Sequence, residues 1–255
     1  MSVNIVVQAR MSSSRLPGKV MMSVPGKQYS IIELIFDRLS NCKNINKIIL
    51  ATSLDESDDV LALKMMKAGY EVVRGSLDDV LSRFISVIDK FNSEHIVRVT
   101  ADCPLIDPDL IDKLIDFHLK NKNEYSSLAL DPTYPDGLDA EIVNSNVIKK
   151  LEDQDLSKPD REHVTHYIYT HQDKYKIGSY KDNEDYSHVR LTLDEPLDFT
   201  FFEKFIEDIK IDPLLIKYSD IKEFINRKDD NYFINSIINR NEGLQRSLNQ
   251  DFENE

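Results

Sequence analysis

The densest chemistry in the chain lies near its start, in Gln8-Ala9-Arg10-Met11-Ser12-Ser13-Ser14-Arg15-Leu16-Pro17-Gly18-Lys19. Three serine hydroxyls, successive backbone N–H groups and three cations crowd into this segment. Those are the parts needed to hold a triphosphate and neutralise a departing pyrophosphate. The glycine spacing matches neither a G-x-G-x-x-G dinucleotide turn nor a P-loop, which argues against a nicotinamide dehydrogenase. Two aspartates suit the same chemistry: Asp102 in Thr100-Ala101-Asp102-Cys103-Pro104 and Asp194 in Leu191-Thr192-Leu193-Asp194-Glu195-Pro196. Each ends an apolar, strand-like run just ahead of a proline. Mg²⁺ bound with phosphate oxygens usually needs only one or two protein carboxylates, so the pair fits if the fold brings it together. Spacing alone leaves each aspartate equally open to serving as a helix N-cap.

Other polar clusters carry less. Asp136-Gly137-Leu138-Asp139-Ala140-Glu141 lacks calcium-loop spacing and reads either as a substrate-facing turn or as a plain structural one. His163 and His166, in Arg161-Glu162-His163-Val164-Thr165-His166, are three apart with no matching third ligand, which argues against zinc. Cys42 and Cys103 form no disulfide framework, and no G-x-S-x-G elbow is present.

Charge sharpens the picture. The formal net charge is −13, so a DNA-backbone binder, which needs a basic face, is not expected. Yet residues 1 to 32 contain no Asp or Glu while carrying Arg10, Arg15, Lys19 and Lys27. A basic, acid-free segment in an acidic protein suits a small polyanion such as a nucleoside triphosphate. No apolar run is long enough for a membrane span and no signal peptide is evident, so a cytoplasmic enzyme with reduced thiols is expected.

The elements that must position these residues alternate. Strands are expected at 4–8, 47–53, 70–73 and 95–100, and helices at 30–42, 58–68, 76–91 and 108–120. Ser30 and Glu33 form a capping-box pair, and Pro108 opens its helix. This order predicts an α/β fold: a mostly parallel mixed sheet with helices on both faces and ligands beyond the carboxyl ends of the strands. Beyond it, strands are expected at 125–130, 139–143, 174–180 and 188–193, and helices at 145–153 and 161–171. From Pro196 the chain reads as helical, ending in a frayed polar tail after Leu248. The 255 residues suit one domain with a C-terminal helical extension at about 196–248.

These motifs resemble the sugar-acid cytidylyltransferases, which activate N-acylneuraminate and 3-deoxy-manno-octulosonate, and most of all their spore-coat polysaccharide branch. The resemblance runs in order through Ala9 to Lys19, Arg74-Gly75-Ser76, Asp79-Val80-Leu81, Arg98 to Leu105, Tyr134 to Asp139, Arg161 to Thr165, Arg190 to Asp194 and Asn239 to Ser247. It implies a Rossmann-like nucleotidyltransferase fold, with a small insertion at about 125–185 that serves acceptor binding or a homodimer interface. It also implies CTP as donor, Mg²⁺ as cofactor and a small anionic sugar-like acceptor. By position, Arg15, Lys19 and Asp102 would be catalytic and Asp102 with Asp194 would hold the metal. Ala9, Arg10, Ser12, Ser13, Ser14 and Thr100 would contact the nucleotide, with Thr52, Arg74 and Gly75 on the nucleoside side. Tyr134, Asp136, Asp139, Arg161 and His163 would face the acceptor. One position departs: the family's common Gly before the metal Asp is Ala101 here.

Overall fold

A computed structural model describes residues 2–252, built around a seven-stranded sheet. Strands β1 (Val3–Gln8), β2 (Lys47–Ser53), β3 (Glu71–Gly75) and β4 (His95–Thr100) run parallel. Strands β5 (Tyr125–Ser127), β6 (Glu141–Asn144) and β7 (Ile177–Ser179) extend the β4 edge, with β6 antiparallel to both β4 and β5. The spatial order is β3-β2-β1-β4-β6-β5-β7. β1 therefore has β2 on one side and β4 on the other, and the order reverses between β1 and β4.

The apolar runs of β1, β2 and β4 are continuous because both faces of the sheet are covered. Ile5, Val7, Leu50, Val97 and Val99 point into one core cluster. It is closed by α1 (Ile31–Leu39), α2 (Asp59–Lys67), α4 (Pro108–Asn121), α8 (Pro196–Ile209) and α9 (Tyr218–Ile225). The alternate residues Val6, Ile49, Ala51 and Ile96 point into the other cluster, under α3 (Val80–Phe91), α5 (Ser145–Lys150) and α7 (His166–Thr170). The Ser30–Glu33 capping box forms as its spacing predicts.

Four expected elements come out differently. The 188–193 run forms no ladder strand and makes one isolated bridge, Asp136 with Arg190. Its amides serve two loops instead: Leu191 N–H donates to the Asp136 carbonyl and Leu193 N–H to that of Asp102. The expected helix at 161–171 splits into α6 (Lys158–His163) and α7, because Val164 takes φ +57° between them. There the buried Val164 joins the core while the Thr165 hydroxyl turns inward to Glu141. The C-terminal stretch is α8, α9, a single 3-10 turn at Asp230–Tyr232 and α10 (Glu242–Phe252), broken first where Lys210 takes φ +57°. α10 continues past Leu248, while residues 253–255 of the expected frayed tail lie outside the described residues. The expected strand at 125–130 stops at Ser127, where the turn-rich segment begins.

A histidine pair, His118 buried and His95 partly so, ties α4 to the sheet. His118 contacts His95 (Nε2 to Nδ1, 3.2 Å) and Ser126 (Nδ1 to Oγ, 3.0 Å), and Asn123 donates to the same hydroxyl at 3.0 Å. Burial, and then His95, push the His118 pKa from 6.5 down to about 4. The unfolded chain therefore takes up a proton below pH 6.5 that the folded chain refuses until about pH 4. Stability present above pH 6.5 should drain away as pH falls through that window, by at most about 1.4 kcal/mol per pH unit per histidine. His163, likewise pushed down to about 4, adds to the slope with the same sign. Urea midpoints measured from pH 7 to 4 should fall less steeply in His118→Gln than in the parent chain. Parallel slopes would assign the effect elsewhere.

Candidate active site

A cavity of about 820 Å³ opens beyond the carboxyl ends of β1 and β4, where the strand order reverses. That crevice is where open α/β sheets bind ligands. The Arg10–Lys19 loop folds over it. Gly18 takes φ +71°, a left-handed conformation that glycine adopts without strain, and its N–H donates to the Met11 carbonyl at 2.9 Å. The loop is anchored from below by Asp58, whose carboxylate accepts from Met11 N–H at 2.6 Å and from Thr52, Ser53 N–H and Ser53 Oγ.

The centre of the site is a charged cluster. Lys19 Nζ lies 2.6 Å from Asp194 and 3.7 Å from Asp102. Arg15 meets Asp194 at 3.0 Å and both Glu195 and Glu242 at 3.3 Å. Asp102 follows β4, and Asp194 precedes Pro196 at the start of α8. The two loops are laced together where Leu193 N–H (2.8 Å) and the Thr192 hydroxyl (3.0 Å) donate to the Asp102 carbonyl. Burial, and then the charge of Asp102, push the Asp194 carboxyl upward. At Asp102 burial is outweighed by Lys19 and by hydrogen bonds from Thr100 and Cys103, so its carboxyl lies below the usual range. Two half-buried carboxylates thus meet at one ammonium on the wall of the cavity. An all-oxygen pair suits a hard divalent ion that completes its shell with phosphate oxygens and water.

A second cluster lines the far end, beside β4, β6 and β5. Arg98 donates to Glu141 at 2.5 Å, and the same carboxylate accepts from Tyr125 and Thr165. His163 and Tyr169 complete this wall. His163 Nε2 is buried without a hydrogen-bond partner, and burial together with Arg98 keeps its pKa low, at about 4. Asp136 and Asp139 form a third side, held by Arg190 and Arg240. Burial, only partly offset by Arg240, pushes the Asp139 carboxyl up to about 7.

Of the residues singled out from sequence, Ala9, Arg10, Ser13, Ser14, Arg15, Lys19, Thr100, Asp102, Asp136, Asp139, His163 and Asp194 line this one cavity. Ser12, Thr52, Arg74, Gly75, Tyr134 and Arg161 do not. Ser12 faces solvent. Thr52 is buried beneath the loop on Asp58. Arg74 is drawn to the Ser53 and Asp55 carbonyls and to Asp59. Gly75 packs under Arg83, Tyr134 lies in the core against Tyr218, and Arg161 pairs with Asp79 at 2.7 Å. Lining residues that sequence reading gave no role include Arg83, Arg98, Tyr125, Thr165, Tyr169 and Arg190, with Asn241, Gly243, Leu244, Arg246 and Ser247 from the C-terminal segment; Glu141, from the segment open to a substrate-facing reading, lines it as well. A signal existed for Arg98, which like Glu141 is a charge set inside an apolar strand-like run, where burial tolerates it only when paired. Among the described residues no helix is long and apolar enough to cross a membrane.

Comparison with known proteins identifies the family and the fold. The spore coat polysaccharide biosynthesis protein SpsF of Bacillus subtilis is 31% identical over 237 residues, spanning 88% of this chain and 94% of that protein. A solved cytidylyltransferase from Leptospira borgpetersenii superposes with a TM-score of 0.86 at 30% identity, covering 94% of this chain and all of that one. CMP:2-keto-3-deoxy-manno-octonic acid synthetase, solved in complex with CTP, shares the fold at a TM-score of 0.61 and 14% identity, over 82% of this chain and 99% of that one. The family model described as Cytidylyltransferase matches residues 4–239. The chain belongs to the cytidylyltransferase family and is a nucleotidyltransferase enzyme.

Proposed function

We propose that this enzyme transfers CMP from CTP to an anionic, sugar-like acceptor and releases pyrophosphate. The observation that carries the reading is the convergence of Asp102 and Asp194 on Lys19, with Arg15 beside them, in one cavity at the β1/β4 crevice. The triphosphate lies along the Arg10–Lys19 loop, where Arg15 and Lys19 exchange carboxylate partners for phosphate oxygens. Asp102 and Asp194 would hold Mg²⁺, which supplies charge neutralisation on the phosphates. An acceptor oxygen attacks the α-phosphorus in line, its P–O bond forms, and the bond to the β-phosphate oxygen breaks. Arg15 and Lys19 offset the charge that builds on the departing pyrophosphate. The acceptor sits toward Arg98, Glu141 and His163, a wall of fixed donors and acceptors suited to hydroxyl-rich rings. The volume, near the upper end for small-molecule sites, accommodates nucleotide and acceptor side by side.

Pyrophosphate release from each of the four nucleoside triphosphates, with Mg²⁺ and a panel of sugar acids and sugar phosphates, checks this. Release should need both CTP and an acceptor. Equal release from UTP or GTP would remove the cytidine assignment, and silence across the panel would favour a nucleotide-binding subunit without activity.

A further inference from the structure

Seven cations line the cavity, and six of them face a carboxylate. The exception is Arg83, in the first turn of α3, with 1% of its surface exposed. Among the described residues its guanidinium makes one hydrogen bond, from Nη1 to the Ala51 carbonyl at 3.3 Å, and its Nε is buried with no partner. Burial pushes its pKa down to about 10, and the nearby charge of Arg10 adds to this. The charges of Asp58 and Asp79 act on it only from beyond ion-pair distance, and a buried guanidinium with no carboxylate hydrogen-bonded to it is unfavourable unless a ligand completes it. The backbone makes room for it deliberately: a Cβ on Gly75 would stand 2.7 Å from Arg83 Cγ.

We infer that Arg83 is the residue that reads the nucleobase, its remaining N–H groups donating to O2 and N3 of cytosine. This rests on the proposal that CTP is the donor. Three features favour a base over a phosphate. Arg83 reaches the end of β2, on the opposite side of β1 from β4 and Asp102, so a nucleotide whose phosphates lie at Lys19 extends its nucleoside this way. Ala9 shares the same Ala51 carbonyl through its own N–H at 3.2 Å, and Val80 lies one helical turn before Arg83. Both line the cavity and offer small apolar surfaces to a flat ring. Finally, arginine only donates. Cytosine presents O2 and an unprotonated N3 side by side as acceptors, whereas uracil carries a hydrogen at N3 that would oppose a guanidinium donor. Sites built on such hydrogen bonds reject the mismatched ligand because a buried group is left unpaired.

The test uses the full chain with Arg83→Met and, in case that variant melts early, Arg83→Lys, which keeps the cation and most of the stem but loses the planar fork. Binding of CTP, UTP and inorganic tripolyphosphate is measured for each, alongside thermal melting. The parent chain should prefer CTP over UTP by roughly ten- to a hundred-fold. Both variants should lose most of that preference while binding tripolyphosphate as the parent does. A parent chain that binds UTP as tightly as CTP overturns the Arg83 inference together with the cytidine reading. A selective parent whose folded variants stay equally selective overturns the Arg83 inference alone. So does a loss of tripolyphosphate affinity in Arg83→Met that Arg83→Lys restores, since that pattern marks a phosphate ligand.

Discussion

Replacing Asp102 or Asp194 by asparagine is expected to lower turnover roughly a hundred- to a thousand-fold, the scale of losing one preorganised electrostatic partner of the transition state. The fold should survive both changes, because the structural roles of these residues belong to their backbones. The Asp102 carbonyl holds Thr192 and Leu193, and the Asp194 N–H donates to Asp198 at 2.9 Å. Asparagine keeps each of these bonds and loses only the negative charge. That charge balances Lys19 in the free enzyme and would hold the cation in the working one. Steady-state pyrophosphate release and a thermal melt on each variant separate the two effects. Near-parental turnover in both would show that the carboxylates are not the cation site.

The second large effect is on stability. Arg190→Met should destabilise the protein by about 3–5 kcal/mol, because it strands two carboxylates in the interior. Arg190 is 5% exposed and donates to Asp198 twice, at 2.8 and 2.9 Å, and to Asp136 at 2.8 Å. The Asp198 side chain has no solvent exposure, so water cannot take over from the lost guanidinium. Asp198 also accepts from the N–H groups of Asp194 and Glu195 and from Asn235. Arg190 thus fixes the start of α8 and with it the position of Asp194. The melting temperature should fall by roughly 10 °C for a chain of this size. A shift of only a degree or two would mean that the Arg190 network is dispensable, and that Asp194 is held by Lys19, Arg15 and the Leu193–Asp102 contact instead.

Much of this was legible in the sequence because the functional residues sit at the ends of regular elements. Asp102 follows an apolar strand, Asp194 precedes a proline-initiated helix, and the Arg10–Lys19 loop follows β1, so periodicity placed all three. Partnerships across long separations were not legible. Arg190 meets a carboxylate 54 residues away, and no local pattern announces it. The 188–193 run alternates like a strand, yet the loops at Asp102 and Asp136 claim its amides before a ladder can form. Thr52 lies near the end of the expected strand but points beneath the loop, because the buried Asp58 needs donors. Arg83 was hidden because a cation in the first turn of an amphipathic helix ordinarily faces water. Here the missing Cβ of Gly75 lets its stem turn inward.

The central claim is attack at the α-phosphorus with CMP retained in the product. The direct measurement is mass spectrometry of the acceptor after incubation with CTP and Mg²⁺, using acceptor labelled with oxygen-18 at the reacting group. The product should be heavier by one cytidine monophosphate unit and keep the label in its bridging oxygen, with unlabelled pyrophosphate released. Label appearing in pyrophosphate, or an acceptor that gains a phosphate or pyrophosphate without cytidine, would contradict it.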